Sequence, residues 1–376
     1  MLAGIGGYGE NYLRELLSLK DPAAALAGII DPFAENSPSF GEIKAKNIPV
    51  FSDIDDFYKN NGADLAVISS PIHTHYAYTM ASLSHGSNVL LEKPICGDMD
   101  QVNQLVEKEK QSGLFAAVGY QLCYSRNTLA LKEDILNGVY GRPLSFKTMC
   151  LARRNTRYYR RNKWAGKIRY AGEKVYDSPL NNACSHYLQI SLFLLGDEVN
   201  RSAGIAGVEA KLWKARPDVE NYDAAAVKIK TEKGIDGFFY TAHCLRERDI
   251  GPMGEFFFEH GTVYLKKESG GLGLSARLND GNEKNYGYID RGIAFQKLYD
   301  AIDSVRTGKA PVCTLETAKS HTKCVNMIQG FPVIEPRNVI LDNEDPADEY
   351  YYIPGLEDEF NECYKKNALP SEKAFG

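Results

Sequence analysis

The sequence lacks several features that would indicate a membrane, secreted or metal-binding protein. No apolar run approaches the ~20 residues that a membrane-spanning helix needs, and no basic segment followed by an apolar core stands at the start. The eight cysteines are scattered without a C-x-x-C pair, and the histidines show no metal-ligand spacing. We therefore expect a cytoplasmic protein with reduced thiols, no bound metal and no membrane partner.

The chain also has little net charge. Its formal charge of −5 over 376 residues disfavours a general nucleic-acid-binding role. Hydrophobic residues make up 44% and charged residues 25%, which is typical of globular proteins. Because 376 residues are many for a single core, we expect more than one domain.

A glycine-rich turn stands almost at the first residue: Gly4-Ile5-Gly6-Gly7-Tyr8-Gly9, with the form G-x-G-x-x-G. Three apolar residues, Met1 to Ala3, precede the turn, and a pattern typical of an amphipathic helix follows it. In such a strand–turn–helix unit the first glycine permits the turn, the second lets the backbone approach a pyrophosphate, and the third allows close helix packing. The pattern predicts a dinucleotide site. Only three residues precede the turn, so either the first strand is short or the natural chain begins upstream.

An acidic residue follows at the distance expected of a dinucleotide-binding unit. The apolar run from Leu26 to Ile30 ends in Asp31, roughly 20 residues after the turn. A carboxylate there can accept hydrogen bonds from the adenosine ribose hydroxyls, and it would repel the additional phosphate of NADP. We therefore predict NAD as the cofactor, with NADP disfavoured.

The organisation of the chain changes after residue 121. Residues 1–121 alternate apolar strands with helical patterns, which predicts an α/β Rossmann domain with a doubly wound parallel sheet. Residues 122–330 contain β-branched and aromatic runs, which predict an α+β domain with an open, mostly antiparallel sheet for substrate and oligomer contacts. We expect helices over one face of that second sheet, at about Asn182 to Leu195, Ile293 to Val305 and Glu316 to Ile328.

The last segment, 331–376, is acidic but also contains aromatic residues such as Tyr350-Tyr351-Tyr352 and Phe360. We expect this C-terminal extension to pack on the body or on a neighbouring subunit. An open sheet commonly buries its exposed face against another copy. This reasoning predicts a homodimer or homotetramer.

One lysine stands where chemistry is expected in an open α/β sheet. Glu92-Lys93-Pro94 ends a predicted strand, and Ser70-Pro71 with His75 follows the preceding strand. Ligands of such sheets bind beyond the carboxyl ends of the strands, so Lys93 is expected near the nicotinamide. Partial burial would lower its pKa and let it exchange a proton with a substrate hydroxyl. The alternative is an ordinary solvated lysine.

These segments together resemble a known family. Gly4-x-Gly6-x-x-Gly9, Ser70-Pro71-x-x-x-His75, Glu92-Lys93-Pro94 and Gly119-Tyr120-Gln121 occur in the order and spacing of the glucose–fructose oxidoreductase/inositol dehydrogenase/rhizopine catabolism (Gfo/Idh/MocA) family of NAD(P)-dependent oxidoreductases. The resemblance covers at least residues 1–330. It implies hydride transfer to or from a secondary hydroxyl of a sugar, cyclitol or sugar acid.

The resemblance also implies a D-x-x-x-H pair facing the lysine, and here the matching residues are Asn182 and His186. Their spacing would place both on one face of a helix. An amide can orient a hydroxyl but cannot take a proton, so the acid–base work falls to Lys93 and His186. The alternative for His186 is an ordinary core or surface histidine.

The segment from Arg153 to Gly166 packs six cationic and three aromatic residues together. Guanidinium groups bind carboxylate or phosphate, and the resemblance places this segment near the substrate. The alternative is a solvated basic loop or a subunit contact. If the segment binds substrate, an anionic group on that substrate is expected, and the chosen contacts are Arg157, Tyr158, Asn162 and Trp164.

The full set of predicted site residues falls into three groups. The catalytic group is Lys93, His186 and Asn182. The cofactor group is Gly4, Gly6, Gly7, Tyr8, Gly9, Asp31, Ser70, Pro71, His75, Glu92, Lys93 and Gln121. The substrate group is Lys93, Tyr120, Arg157, Tyr158, Asn162, Trp164, Asn182 and His186.

Two rival functions stay open. One is a redox-neutral, glycoside-cleaving enzyme that oxidises a sugar carbon transiently with bound NAD. The other is a non-catalytic NAD- and sugar-sensing protein, which an intact Lys93 and His186 disfavour and Asn182 mildly favours.

Overall fold

The computed structural model describes residues 1–20, 24–343, 348–371 and 374–375. Within these ranges the N-terminal part forms a six-stranded, fully parallel sheet in the spatial order β3-β2-β1-β4-β5-β6. Its strands are β1 (Leu2–Ala3), β2 (Ile29–Ile30), β3 (Val50–Phe51), β4 (Leu65–Ile68), β5 (Asn88–Leu91) and β6 (Ala116–Val118). Most of their side chains are apolar and buried, as a sheet covered on both faces requires.

Helices connect these strands. They are α1 (Gly9–Ser18), α2 (Phe40–Ala45), α3 (Ile54–Tyr58), α4 (His75–Ser84) and α5 (Met99–Ser112), and α6 (Arg126–Leu136) follows the last strand and leads to the second sheet. Local signals set their ends: the Asp98 side chain caps the start of α5, and Gly113 ends it in a left-handed conformation. The predicted Rossmann sheet is confirmed.

The second sheet has nine strands in the described residues, in the order β16-β15-β14-β13-β7-β12-β11-β10-β17. Most neighbours are antiparallel, as predicted; β7–β12 and β10–β17 are parallel. The strands are β7 (Pro143–Leu151), β10 (Ile205–Trp213), β11 (Ala224–Thr231), β12 (Asp236–Ala242), β13 (Ile250–Phe258), β14 (Gly261–Glu268), β15 (Gly271–Leu278), β16 (Glu283–Tyr288) and β17 (Val333–Ile334). Two small hairpins complete the strands: β8 (Arg169–Tyr170) with β9 (Glu173–Lys174), and β18 (Ile340–Asp342) with β19 (Tyr350–Tyr352).

The remaining helices are α7 (Thr156–Tyr159), α8 (Ser185–Leu194), α9 (Gln296–Thr307), α10 (Leu315–Ile328) and α11 (Leu356–Lys366). Helices α8 and α10 pack on the inner face of the second sheet and on each other. The prediction that α9 covers this sheet is wrong. Its Leu298 and Ala301 are buried against Leu2 and Leu90 of the parallel sheet. The predicted boundaries at residues 121 and 330 therefore stay a prediction, because the chain returns to the first sheet within the second segment.

The C-terminal extension lies on the outer face of the second sheet. Leu356 and Phe360 of α11 are buried with Met149, Trp213 and Tyr240 from strands β7, β10 and β12. The hydroxyl of Tyr240 also donates hydrogen bonds to the backbone carbonyls of residues 363 and 368, at 3.0 and 2.7 Å. The chain itself therefore covers part of the face on which the oligomer prediction was based, and that prediction stays open. None of the helices in the described ranges has the length and apolar character needed to cross a membrane.

Candidate active site

A cavity of about 1410 Å³ lies between the two sheets, at the carboxyl ends of the parallel strands. The glycine turn, Asp31, the segment from Ser69 to His75 and Lys93 line it from the N-terminal side. Asn182, His186 and part of the basic segment line it from the other side. The structure therefore brings together residues that are separated in sequence by more than a hundred positions.

The glycine turn has the backbone that its sequence predicts. Gly4 has a φ of +82°, and a Cβ there would lie 2.6 Å from the backbone of Ser70. A Cβ on Gly9, the first residue of α1, would lie 2.1 Å from the carbonyl oxygen of Gly4. Gly6 has no heavy atom within 4 Å of its Cβ position and lines the cavity. Two glycines therefore make the turn compact, while the third leaves its outer side open for a ligand.

Asp31 ties the end of β2 to this turn. One carboxylate oxygen accepts a hydrogen bond from the backbone N–H of Ile5 at 2.9 Å, and the other accepts from Phe33 at 2.8 Å. The side chain also borders the cavity. Each carboxylate oxygen has further acceptor capacity, so these two bonds leave room for ribose hydroxyls.

His75 joins the two loops that carry the predicted site residues. Its buried ring has Nε2 2.9 Å from the Ser70 carbonyl oxygen and Nδ1 2.8 Å from the Pro94 carbonyl oxygen. Burial lowers its pKa, although these carbonyl contacts act in the opposite direction. The neutral ring donates from one of these nitrogens only, and its buried position between the two carbonyls places His75 between the Ser70 loop and the Pro94 loop. Pro71 and Gln121 border the same cavity.

Lys93 points across the cavity to the turn before α8. Its Nζ donates to the backbone oxygen of Asn182 at 3.1 Å and lies 3.4 Å from the Oδ1 atom of the same residue. Burial lowers the pKa of Lys93, with Lys297 and Arg161 acting in the same direction and Glu92 and Asp177 opposing them. A lysine held in this way can change protonation state near neutral pH more readily than a solvated one.

Glu92 belongs to a buried network with the other end of the chain. It accepts a hydrogen bond from the Tyr12 hydroxyl at 2.8 Å and forms an ion pair with Lys297 of α9. Burial would raise the pKa of Glu92, but Lys297, Tyr12 and Lys93 together bring it below its ordinary value. Lys297 also borders the cavity and lies over the rings of Tyr8 and Tyr12.

Asn182 does not belong to the helix that carries His186. Helix α8 begins at Ser185, because the Asn182 carbonyl is engaged by the Ser185 hydroxyl and by Lys93. The expectation of one shared helix face is therefore wrong, although both side chains reach the cavity. Burial, followed by the charge of Lys93, lowers the pKa of His186 well below its ordinary value. The buried Nδ1 atom of His186 has no hydrogen-bond partner in the described structure.

The basic segment reaches the cavity with a different set of residues from the one chosen. Asn162 and Trp164 border it, but Asn162 Oδ1 also accepts from two backbone N–H groups of its own turn. Arg157 is exposed outside the cavity, and Tyr158 lies behind Arg161, whose guanidinium carbon is 3.7 Å from the Tyr158 ring centroid.

Tyr120 is likewise not at the cavity. It is buried, and its hydroxyl pairs with Nδ1 of His321 at 2.9 Å.

The predicted set missed several cavity residues, four of which carry polar or charged groups on or near the substrate side, and one supporting carboxylate. Arg161 and Lys163 stand within the basic segment, but composition alone did not distinguish them from their neighbours. Tyr170 and Lys297 also border the cavity, and no signal in the sequence pointed to either. The supporting residue is Asp177, which accepts a hydrogen bond from Asn182. Within the described ranges, no three His, Cys, Asp or Glu side chains are grouped to hold a metal ion.

Comparison with known proteins identifies the N-terminal domain. Residues 1–120 match the model of an oxidoreductase family with an NAD-binding Rossmann fold, Gfo/Idh/MocA. The similarity to this family covers the N-terminal domain. Its similarity to an inositol 2-dehydrogenase of Klebsiella pneumoniae strain 342 is 26% identity over 196 residues, 52% of this chain and 53% of that enzyme. The chain thus spans about half the length of this curated relative.

Longer matches are weaker in identity. A myo-inositol 2-dehydrogenase of Thermotoga maritima is 22% identical over 84% of this chain and 90% of its own length. The solved structure of the WlbA dehydrogenase from Bordetella pertussis, in complex with NADH and UDP-GlcNAcA, superposes with a TM-score of 0.69. That match has 18% identity and covers 88% of this chain and 94% of the other. The two chains therefore share a fold.

Proposed function

We propose that this protein is an NAD-dependent dehydrogenase acting on a secondary hydroxyl of a sugar, cyclitol or sugar acid. The observation that carries the proposal is the position of Lys93. Its amine borders one cavity together with an open-sided glycine turn and with Asn182 and His186. Named relatives of the N-terminal domain are inositol dehydrogenases, which act on the same class of hydroxyl.

The residues present fit a dinucleotide. The open side of Gly6 and the start of α1 suit a pyrophosphate, and Asp31 suits the ribose hydroxyls. We propose NAD rather than NADP because a 2′-phosphate would meet the Asp31 carboxylate. When bound, a nicotinamide accepts a hydride from the substrate carbon or returns one to it.

Lys93 acts as the base in the oxidising direction. In its neutral form the amine accepts the proton of the substrate hydroxyl, and in the reducing direction the ammonium gives that proton back. The Asn182 amide oxygen can hold the ammonium or accept from a second hydroxyl. His186, neutral at physiological pH because burial and Lys93 lower its pKa, offers a hydrogen bond to the substrate. The pair Lys93–His186 thus carries proton transfer and orientation.

The substrate side of the cavity is basic. Arg161 and Lys163 border it on the same side as Asn182. A guanidinium that borders a cavity can bind a carboxylate or phosphate in bidentate fashion. These side chains favour a sugar acid or sugar phosphate over a neutral polyol.

The test is the absorbance of reduced nicotinamide after NAD is mixed with neutral sugars, inositols, uronates, sugar phosphates and glycosides. We expect one class to give a rise, and Lys93→Ala to lower kcat by about 10²–10⁴-fold while NAD binding persists. Lys59→Ala, an exposed lysine paired with Asp56 outside the cavity, is the control and leaves kcat unchanged. No rise with any class, in protein that binds NAD, would refute a dehydrogenase. Cleavage of a glycoside in that case would indicate the redox-neutral rival.

A further inference from the structure

A buried carboxylate stands behind Asn182. Asp177 is 2% exposed, and its Oδ1 atom accepts a hydrogen bond from Asn182 Nδ2 at 2.7 Å. Its Oδ2 atom accepts from the backbone N–H of Gly166 at 2.6 Å, and a guanidinium nitrogen of Arg161 lies 3.8 Å from Oδ1. Both oxygens therefore face donors, which suits an acceptor-only carboxylate. Burial raises the pKa of the Asp177 carboxyl, and Arg161, Gly166, Asn182 and Lys93 act in the opposite direction.

This contact determines which end of the Asn182 amide faces Lys93. With Nδ2 on Asp177, the amide oxygen lies 3.4 Å from the Lys93 ammonium. The opposite orientation would turn an N–H₂ group toward a cation and an oxygen toward a carboxylate. Both of those contacts are repulsive, so Asp177 excludes that orientation.

We propose that Asp177 is a positioning residue for Lys93: it fixes the Asn182 amide with its oxygen toward the lysine and supplies a negative charge behind it. The proposal rests on the role of Lys93 in the proposed function. It assigns to this chain a carboxylate–amide–lysine arrangement in place of a carboxylate at position 182. The negative charge thus lies behind Asn182 rather than at position 182. There it acts on Lys93 while the amide occupies the position that faces the substrate.

Other charges act on Lys93 as well. Asp177 and Glu92 raise the pKa of Lys93, against its lowering by burial, Lys297 and Arg161. Two histidines also face the lysine, His186 of α8 and His321 of α10, and both have pKa values lowered mainly by burial. Among these groups, Asp177 is bonded to Lys93 through Asn182, so its removal changes both charge and geometry.

The first test measures the protonation of Lys93 without using enzyme activity. Competitive acetylation across a pH series, read by peptide mass spectrometry with Lys59 as internal reference, gives the midpoint at which the Lys93 amine becomes reactive. We expect Asp177→Asn to move that midpoint to lower pH by about 1 unit, because a nearby opposite charge is lost. The matched control is Asp223→Asn, since Asp223 is also buried and accepts two backbone N–H bonds, at Ala215 and Arg216. We expect no shift there.

The second variant exchanges the two groups, Asp177→Asn with Asn182→Asp. An amide at 177 can accept from Gly166 and donate to a carboxylate at 182, so both hydrogen bonds are kept and only the one between 177 and 182 reverses its direction. We expect this variant to fold and to restore the Lys93 midpoint to the wild-type value or above. It also tests the proposal if Asp177→Asn alone does not fold. A midpoint that stays at the wild-type value in Asp177→Asn, or falls below it in the exchange variant, would overturn the proposal.

Activity then separates this inference from the proposed function. If a substrate is found, the acid limb of kcat against pH should move to lower pH in Asp177→Asn by the same amount as the acetylation midpoint. If no substrate gives reduced nicotinamide but the midpoint shifts, the proposed function fails while the coupling of Asp177 to Lys93 stands. If activity is present and neither curve moves, the dehydrogenase stands and the role of Asp177 fails.

Discussion

Replacing Lys297 with methionine removes one half of an enclosed ion pair. The side chains of Lys297 and Glu92 are 1% and 12% exposed, so little water reaches the pair even though both residues border the cavity. Methionine keeps most of the apolar stem, so the change concerns charge rather than volume. Removing one partner of a buried pair costs about 3–5 kcal/mol. Because the Tyr12 hydroxyl and the Lys93 N–H still bond Glu92, we expect about 3 kcal/mol at pH 7.

The stability lost in Lys297→Met depends on pH. In the wild type the pKa of Glu92 is lowered, because the ion pair with Lys297 and the other partners outweigh burial. Glu92 therefore stabilises the fold above its unfolded pKa of about 4.3, and this contribution is lost as pH falls through the lowered folded value. Without Lys297, burial dominates and raises the pKa of Glu92. As pH falls, Glu92 of the variant is protonated and its unpaired buried charge is removed. The difference in free energy of unfolding between wild type and variant therefore shrinks from pH 7 to pH 4.

Urea unfolding at pH 7, 6, 5 and 4 measures this difference in the wild type, Lys297→Met and Lys297→Met with Glu92→Gln. The double variant has no unpaired charge, so we expect it to recover most of the lost stability at pH 7. A loss of equal size at pH 7 and pH 4 would refute the electrostatic reasoning. A double variant no more stable than the single one would refute it independently.

Three further predictions concern the turn, its acidic partner and a second buried lysine. Asp31→Ser should raise the ratio of kcat/KM for NADP to that for NAD by about tenfold or more, because the repelling carboxylate is gone; an unchanged ratio would contradict the assignment. Gly9→Ala places a Cβ 2.1 Å from the Gly4 oxygen and should weaken NAD binding at least about tenfold by calorimetry, whereas Gly41→Ala, with open space around it, should not. Burial lowers the pKa of Lys132 to about 7, so the unfolded chain holds a proton that the folded chain does not between about pH 7 and 10. Wild-type stability against urea should therefore rise over that range, and Lys132→Met should abolish the rise.

The two sheets could be predicted from the sequence because local residue patterns indicate the strands of each. Continuous apolar runs such as Leu65–Ile68 predict buried parallel strands, and the longer β-branched runs predict the second sheet. The partner of α9 could not be found in the same way. An apolar stripe containing Leu298 and Ala301 indicates a buried helix face, but it does not indicate which of two apolar sheets receives it.

The candidate site likewise contains residues that the local sequence predicts and residues that only the fold identifies. Lys93 and the glycine turn were predicted because their chemistry depends on residues adjacent in sequence. Lys297 was missed because its partner Glu92 is brought near only by folding. Asp177 is close to Asn182 in sequence, but the sequence does not indicate that its carboxylate bonds the amide that faces Lys93. Arg161 shows an intermediate case: its segment was recognised, but which cation faces the cavity depends on a turn whose direction the composition does not specify.

The position of α11 has a consequence for synthesis on the ribosome. The strands that it covers are complete by Ala242, yet the covering helix ends only at Lys366. Chain synthesis proceeds at roughly 5–20 residues per second. The apolar outer surface around Trp213 and Tyr240 is therefore exposed for several seconds before helix α11 is synthesised. During that interval the nascent chain presents a ready aggregation surface. The order of the segments along the chain therefore leaves this apolar surface exposed until the last helix docks.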